Sequence, residues 1–248
     1  MNNSNPPAGG DGGKYKHLFF DLDHTLWDFE ANSRQTLEEL YDSMQLQAKG
    51  VDDFDLFHKN YLAHNDKLWD HYRKGFIKVD ELRWKRMWLT LLDFKIANES
   101  LAHEMGVVFL DRLPTRKILF PYTIEILEYL AQKNYRLHLI TNGFEKTQHS
   151  KLKNSGLDKY FIEVITSEAS NSLKPHKEIF EFAFQKTGAV PEESIMIGDS
   201  IEVDIQGAIN AGIDQIFVNH LNIEAAPIAI GIKPTYIVNS LKELEEIF

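Results

Sequence analysis

The segment KHLFFDLDHTLWD, residues 16–28, places two carboxylates directly after a short apolar run. The run, Leu18 to Phe20, has the length and the apolar character of a central strand in a parallel sheet. Open α/β sheets bind ligands at the carboxyl ends of such strands, where Asp21 and Asp23 would lie. Because two carboxylates this close repel each other, the pair predicts a divalent cation or a shared proton. Taken alone, the motif also fits a surface turn with two solvated acids.

Residues 30–112 carry apolar side chains at helical spacing, without any interrupting strand pattern. The predicted helices are Arg34–Gln45, Phe54–Tyr72, Val79–Phe94 and Leu101–Leu110. We interpret this block as an all-helical cap over the carboxyl end of the first strand. Its aromatic residues, including Trp69, Trp84 and Trp88, fall on helical faces, which favours a bundle core over a platform for substrate.

Helix and strand patterns alternate from Pro121 onward, which is typical of a parallel, doubly wound sheet. The predicted strands are Arg136–Ile140, Phe161–Ile165, Ser194–Ile197, Gln215–Val218 and Tyr236–Val238. The predicted helices are Tyr122–Gln132, Glu145–Asn154, His176–Lys186, one that ends at Ala211, and a terminal helix. The expected fold class is therefore α/β, with a doubly wound, Rossmann-like core formed by residues 14–29 and 113–248. The cap domain of residues 30–112 is inserted into this core.

The composition excludes several classes of protein. A formal net charge of −10 argues against nucleic acid or an anionic membrane as the main partner. With no cysteine, the chain has no disulfide, thiolate ligand or thiol nucleophile. No apolar stretch approaches the roughly 18 residues of a transmembrane helix, so a cytoplasmic location is expected. The Gly, Pro and Asn content of residues 1–13 predicts a disordered tail.

Polar residues recur where the predicted strands end. Thr141 follows the second strand, Lys174 lies in a loop after the third, and Asp199 and Asp204 follow the fourth. Because parallel strands end at one edge of a sheet, these side chains and the first two carboxylates should lie together. They supply a carboxylate nucleophile, an acid–base group, and a hydroxyl and a cation for phosphate oxygens. Phosphoryl transfer through an aspartyl-phosphate needs this set. Individually, each residue also has an ordinary reading as a turn residue, a solvated side chain or a helix N-cap.

In this combination the sequence resembles the haloacid dehalogenase superfamily, in its phosphatase branch. The family's four motifs match, in order, Asp21, Asp23 and Thr25; Thr141; Lys174; and Gly198, Asp199 and Asp204. The resemblance implies that Asp21 attacks phosphorus, while Asp23 protonates the leaving oxygen and later activates water. It also implies that Thr141 and Lys174 hold the transferring phosphoryl group. One departure is His24, where many members of the family carry Gly.

The same resemblance implies a Mg²⁺ site and a substrate site. Mg²⁺ would bind Asp21, the carbonyl of Asp23, and Asp199. Asp204 would ligate the ion directly, ligate it through water, or orient Lys174. The residues expected to contact substrate are Leu22, Asn142, Gly143 and Lys174.

A narrower resemblance points to a substrate class. Four segments are similar to those of bacterial pyrimidine 5′-nucleotidases: DxDxTLxD, ITNGF at residues 140–144, GDSxxxDIxGAxxAG at 198–212 and PTYIVNSLKELEEIF at 234–248. A nucleoside monophosphate is therefore the expected small-molecule partner. The protein is expected to be a monomer or a small homo-oligomer. Lys74, Arg83, Trp84 and Arg86 would contact its base and sugar from the cap. A sugar-phosphate phosphatase and a β-phosphoglucomutase-like phosphomutase are alternatives, and a phospho-accepting signalling module is a third.

Overall fold

The computed structural model describes residues 13–220 and 231–248, so the tail predicted for residues 1–13 lies outside it, apart from Gly13. Contacts divide the described chain into two compact units. One unit is the segment Phe29–Ile118, and the other combines the described residues up to Asp28 with those from Leu119 onward.

The second unit is built on a parallel sheet, which confirms the predicted α/β class. Among the described residues six strands occur: β1 His17–Phe20, β2 Arg136–Thr141, β3 Glu163–Thr166, β4 Ser194–Gly198, β5 Asp214–Val218 and β6 Tyr236–Val238. Their order across the sheet is β3-β2-β1-β4-β5-β6, and all pairs are parallel. The third strand begins at Glu163 rather than at the predicted Phe161.

β1 lies at the centre of this sheet and is buried along its whole length. It pairs with β2 on one side and with β4 on the other, so both of its edges are hydrogen-bonded. From β1 the chain first builds the sheet toward β3 and then returns to build it toward β6. This reversal places a crevice at the carboxyl end of β1, where open α/β sheets bind ligands.

Helices of the sheet unit follow the strands in alternation. They are α5 Thr123–Gln132, α6 Glu145–Ser155, α7 Ser167–Ser170, α8 Lys177–Thr187 and α9 Gln206–Asn210. The single helix predicted to end at Ala211 is instead a π-helical turn, Ile201–Ile205, followed by the short α9. The predicted terminal helix is a 3₁₀ segment, Leu241–Glu246. No helix within the described ranges is long and apolar enough to cross a bilayer.

The helical unit contains α1 Phe29–Ser43, α2 Phe54–Arg73, α3 Val79–Asp93 and α4 Glu99–Arg112. α1 begins five residues before the predicted Arg34 and stops before Gln45, whose φ of 52° lies outside the right-handed helical region. Residues 113–118, which the sequence assigned to the core, belong to this unit. The reason is local: the buried amide of Asn32 donates to the Ile118 carbonyl (2.7 Å) and accepts from its N–H (3.0 Å).

The interior of the helical unit differs from the predicted one in its polar and aromatic content. Phe57, Tyr61 and Phe109 are fully buried, whereas the three tryptophans expected in the core, Trp69, Trp84 and Trp88, are only half-buried. Arg86, expected to contact substrate, is 2% exposed and donates to Asn65 Oδ1 at 3.0 Å. Its guanidinium lies over the Phe109 ring, 5.2 Å from the centroid. Arg86 therefore belongs to the bundle interior.

Close packing of α3 against α4 generates a stability prediction at Gly106. A Cβ at this position would lie 2.9 Å from the Arg83 carbonyl oxygen and 3.2 Å from Trp84 Cα, both backbone atoms. Gly106→Ala should therefore lower the free energy of unfolding by about 1–3 kcal/mol, despite the better helix propensity of Ala. Chemical denaturation of the full chain measures this change. The control is Val107→Ala, because Val107 is exposed on the same helix. Equal stability of Gly106→Ala and the wild type would contradict the predicted clash.

Candidate active site

The site begins with Asp21, the first residue after β1. Its N–H donates to the Ile197 carbonyl of β4 at 2.9 Å, so the β1–β4 pairing extends to the nucleophile candidate. Its side chain is 11% exposed, and Oδ1 accepts from Lys174 Nζ at 2.5 Å. Burial raises the pKa of the Asp21 carboxyl well above its ordinary value. Asp204 and Asp199 add to this rise, while Lys174 opposes it.

Lys174 is the buried cation that pairs with Asp21. Its ammonium contacts Asp21 Oδ1 (2.5 Å), Asp204 Oδ1 (2.7 Å) and the Ile140 carbonyl (2.6 Å), and its side chain is 1% exposed. Burial disfavours the charged form, yet Asp204 and Asp21 outweigh burial and hold the pKa of Lys174 above its ordinary value. An ammonium has three donors. Two of them form the hydrogen bonds to Asp21 Oδ1 and the Ile140 carbonyl, and the contact with Asp204 Oδ1 is an ion pair, so one donor can turn to a further acceptor.

Asn142 fixes the loop that carries Lys174. Its side-chain amide donates to the Lys174 carbonyl (2.9 Å) and accepts from the Lys174 N–H (2.7 Å). Asn142, predicted to contact substrate, therefore has its side chain engaged with the protein. Leu22, also predicted to contact substrate, has a fully buried side chain, so only its backbone could reach a ligand. The N–H of Gly143 donates to Thr141 Oγ1 at 3.1 Å.

Three carboxylates form a cluster that could hold a metal ion. Each of Asp21, Asp199 and Asp204 offers an oxygen, and these oxygens lie within 4.8 Å of one another. Burial raises the pKa of Asp199 to about 8, with Asp204 adding to the rise, although Thr25 donates to Asp199 Oδ1 at 3.0 Å. Three acids face the single ammonium of Lys174, so a further cation would relieve their repulsion. Carboxylate oxygens suit a hard cation such as Mg²⁺.

The π-helical turn positions Asp204. The Ser200 carbonyl accepts from the backbone N–H groups of Asp204 (2.8 Å) and Ile205 (3.1 Å), and the Ser200 N–H donates to Asp204 Oδ2 at 3.0 Å. A side chain at Gly198 would overlap the Asp204 carboxylate. Both features bring Asp204 back against the end of β4 and onto Lys174. A π-turn inserted next to a ligand site is a recurrent arrangement in proteins.

Asp23 stands apart from this cluster. Its carboxylate accepts from Lys151 Nζ at Oδ1 (2.5 Å) and from Gln148 Nε2 at Oδ2 (2.8 Å). Burial would raise the pKa of Asp23, but Lys151 and Gln148 outweigh it and lower the pKa below its ordinary value. Because this carboxylate is engaged elsewhere, Asp23 could contribute to a metal site through its carbonyl, as the family resemblance implies.

Two residues of this site, Gln148 and Lys151, were not anticipated from the sequence. Both lie on α6, where they are 0% and 3% exposed. Their spacing carried a signal, because residues 148, 151 and 152 share one helical face and Leu152 marks that face as buried. A polar amide and an ammonium on an inward face call for polar partners. His24 shows a further local feature, a left-handed φ of 65°, which explains why Gly suits this position.

Comparisons with known proteins identify the family of the chain. The family model for haloacid dehalogenase-like hydrolases matches residues 15–212. The chain is 33% identical over 231 residues to the pyrimidine 5′-nucleotidase PynA of Streptococcus pneumoniae, covering 93% of both chains. It is 31% identical over 240 residues to the pyrimidine 5′-nucleotidase YjjG of Escherichia coli, covering 94% of this chain and 98% of that one.

A solved structure matches the fold along nearly the whole chain. The HAD-hydrolase YfnB of Bacillus subtilis, bound to magnesium, superposes with a TM-score of 0.84 at 27% sequence identity. The match covers 94% of this chain and 98% of that one. With the family model and two relatives above 30% identity, the chain belongs to the haloacid dehalogenase-like hydrolases, in their phosphatase branch.

Proposed function

We propose that the chain hydrolyses phosphate monoesters with Mg²⁺ through an aspartyl-phosphate on Asp21. We further propose a pyrimidine nucleoside 5′-monophosphate as the substrate. The observation that carries the mechanism is the buried contact of Lys174 Nζ with Asp21 Oδ1 at 2.5 Å, beside a cluster of acids. This contact puts a carboxylate nucleophile next to a fixed positive charge that can also attract the phosphoryl oxygens of the substrate.

In the first step, an Asp21 oxygen attacks phosphorus and the ester oxygen departs with a proton from Asp23. In the second step, Asp23 takes a proton from water, which attacks the aspartyl-phosphate and releases inorganic phosphate. Asp23 is held ionised in the structure, which suits the second step. A bound phosphate dianion would raise the pKa of Asp23 by like-charge repulsion, which favours the protonated form that the first step needs.

Lys174 and Thr141 bind the transferring group in this proposal. The Lys174 ammonium and the Thr141 hydroxyl donate to phosphoryl oxygens as negative charge moves onto them. Asp21, Asp199 and Asp204 would hold the Mg²⁺ ion, with the Asp23 carbonyl as a further ligand. When bound, the ion offsets the charge of the acids and of the phosphate, so that two anions can approach each other.

The substrate proposal rests on relatives and on one surface of the helical unit. PynA and YjjG, which share about a third of their residues with this chain, are pyrimidine 5′-nucleotidases. In the helical unit, half-buried Trp84 stacks on His103 with ring centroids 4.1 Å apart. Such an aromatic pair could accept a base by stacking. That this unit acts as a cap, that the protein is cytoplasmic, and that it is a monomer or small homo-oligomer stay predictions.

Removal of divalent metal should abolish hydrolysis of p-nitrophenyl phosphate, because the clustered acids would otherwise repel the substrate. Protein dialysed against EDTA and then returned to metal-free buffer is expected to be inactive, and added Mg²⁺ should restore the rate. Release of p-nitrophenolate measures both states. Undiminished activity after exhaustive chelation would rule out the metal assignment.

Replacing Asp21 with Asn should remove the nucleophile while nearly preserving its shape. We expect kcat to fall by at least about 10³-fold, which corresponds to about 4 kcal/mol in the barrier. The matched control is Asp158→Asn, the same change at an exposed position of the sheet unit, which should leave kcat unchanged. Steady-state kinetics with p-nitrophenyl phosphate compares the two variants. An Asp21→Asn variant with more than about a tenth of the wild-type kcat would show that another group attacks phosphorus.

The substrate class is tested by kcat/KM for UMP, dUMP, dTMP, AMP, glucose 1-phosphate and phosphoglycolate at one Mg²⁺ concentration. A pyrimidine nucleotide should give the highest value. A non-nucleotide that exceeds the best pyrimidine nucleotide tenfold would contradict the nucleotidase proposal and leave the phosphatase mechanism in place. A single stoichiometric burst without turnover on every substrate would instead indicate a phospho-accepting signalling module.

A further inference from the structure

Gln148 joins two residues of the proposed mechanism through a single nitrogen. Its Nε2 donates to Asp23 Oδ2 at 2.8 Å and to Thr141 Oγ1 at 2.7 Å. A primary amide carries two N–H groups on this nitrogen, so both are used. The side chain is fully buried, which fixes the amide between the carboxylate that follows β1 and the hydroxyl at the end of β2.

This contact determines the direction of the Thr141 hydroxyl. Thr141 Oγ1 accepts from Gln148 Nε2 and also from the Gly143 N–H at 3.1 Å. A hydroxyl has two lone pairs and one hydrogen, so two accepted bonds leave the hydrogen as a donor. Across residues 13–220 and 231–248, no protein group accepts a hydrogen bond from this hydroxyl. The hydrogen is therefore available to an oxygen of a bound phosphoryl group.

Lys151 holds the other oxygen of Asp23. Its ammonium donates to Asp23 Oδ1 at 2.5 Å and lies 4.4 Å from the centroid of the Trp27 ring. Trp27 is fully buried, and an indole face attracts a cation, so the ammonium is held between the ring and the carboxylate. With Gln148 on one oxygen and Lys151 on the other, both oxygens of Asp23 are bound to one face of α6.

We propose that Gln148 and Lys151 are positioning residues, which orient the Asp23 carboxylate for proton transfer and direct the Thr141 hydroxyl toward the phosphoryl group. This inference rests on the proposed function, since it assigns a partner to the acid–base residue of that mechanism. Neither residue needs to touch the substrate for this role. A role limited to anchoring α6 would give the same contacts, so the test must separate effects on proton transfer from effects on folding.

The test for Lys151 uses Lys151→Met in the wild type and in the Asp23→Asn variant, with UMP and p-nitrophenyl phosphate as substrates. In the wild type, kcat for UMP should fall at least about tenfold, within the range that one acid–base group contributes, while KM changes less than about twofold. The loss should be smaller with p-nitrophenyl phosphate, whose good leaving group needs less protonation. In the Asp23→Asn background the same change should alter kcat by less than about twofold, because the group it positions is gone.

Control variants distinguish a positioning role of Lys151 and Gln148 from a purely structural one. Lys153→Met makes the same substitution at an exposed position of α6 and should leave all constants unchanged. Lys151→Arg keeps the charge and should recover most of the lost kcat. If thermal melting shows that Lys151→Met is unfolded, Lys151→Gln takes its place in the test. For Gln148, the variant Gln148→Met should weaken inhibition by inorganic phosphate at least about threefold, since the Thr141 donor is no longer directed.

Two results would overturn the inference. One is that Lys151→Met lowers kcat equally with and without the Asp23 carboxylate, or equally on both substrates. Either outcome would mean that Lys151 has only a structural role. The other is unchanged inhibition by phosphate in Gln148→Met. Absence of turnover by the wild-type chain on either substrate would instead contradict the proposed function, which keeps the two failures distinguishable.

Discussion

The structure around the strand ends depends on one buried cation, the ammonium of Lys174. Removing a charge from water costs on the order of several kcal/mol unless partners replace the lost hydration. Here Asp21, Asp204 and the Ile140 carbonyl replace it, at 2.5–2.7 Å. Each partner comes from a different segment, so the ammonium can be satisfied only when β1, β2 and the turn after β4 are correctly placed. The same ammonium keeps a positive charge beside the proposed nucleophile.

A protein with a net negative charge that acts on anions needs a positive electrostatic potential at its active site. The protein has a formal charge of −10, yet two buried ammonium groups, Lys174 and Lys151, lie where β1 and β2 end. Lys174 pairs with the proposed nucleophile, and Lys151 pairs with the proposed acid–base group. Each carboxylate thus has its own cation, while the remaining excess of acid at Asp199 and Asp204 suits a metal ion. Burial and the neighbouring acids raise the pKa of Asp21 despite Lys174. Lys151 and Gln148 outweigh burial at Asp23 and lower its pKa.

The sheet could be predicted because its strands are short apolar runs followed by polar residues, a pattern that reflects burial on both faces. The helix end at Ser43 and the unit boundary at Ile118 could not, because the left-handed φ of Gln45 and the Asn32 hydrogen bonds leave no periodic trace. The π-helical turn could not be predicted either, because the hydrogen bond from the Ser200 N–H to the Asp204 carboxylate forms only in the folded chain. Lys151 was missed because a lysine on a polar helix usually extends into solvent, and only its helical face suggested otherwise.

The central claim is that Asp21 carries the phosphoryl group during turnover. The most direct measurement is rapid acid quenching of the Mg²⁺-loaded enzyme with substrate, followed by mass spectrometry of the peptide that contains residues 16–28. The account predicts one phosphoryl group on Asp21 at early times, with none in enzyme quenched without substrate. Phosphoryl transfer to any other residue, or turnover with no phosphorylated peptide at any quench time while an added phosphopeptide standard survives the procedure, would contradict the account.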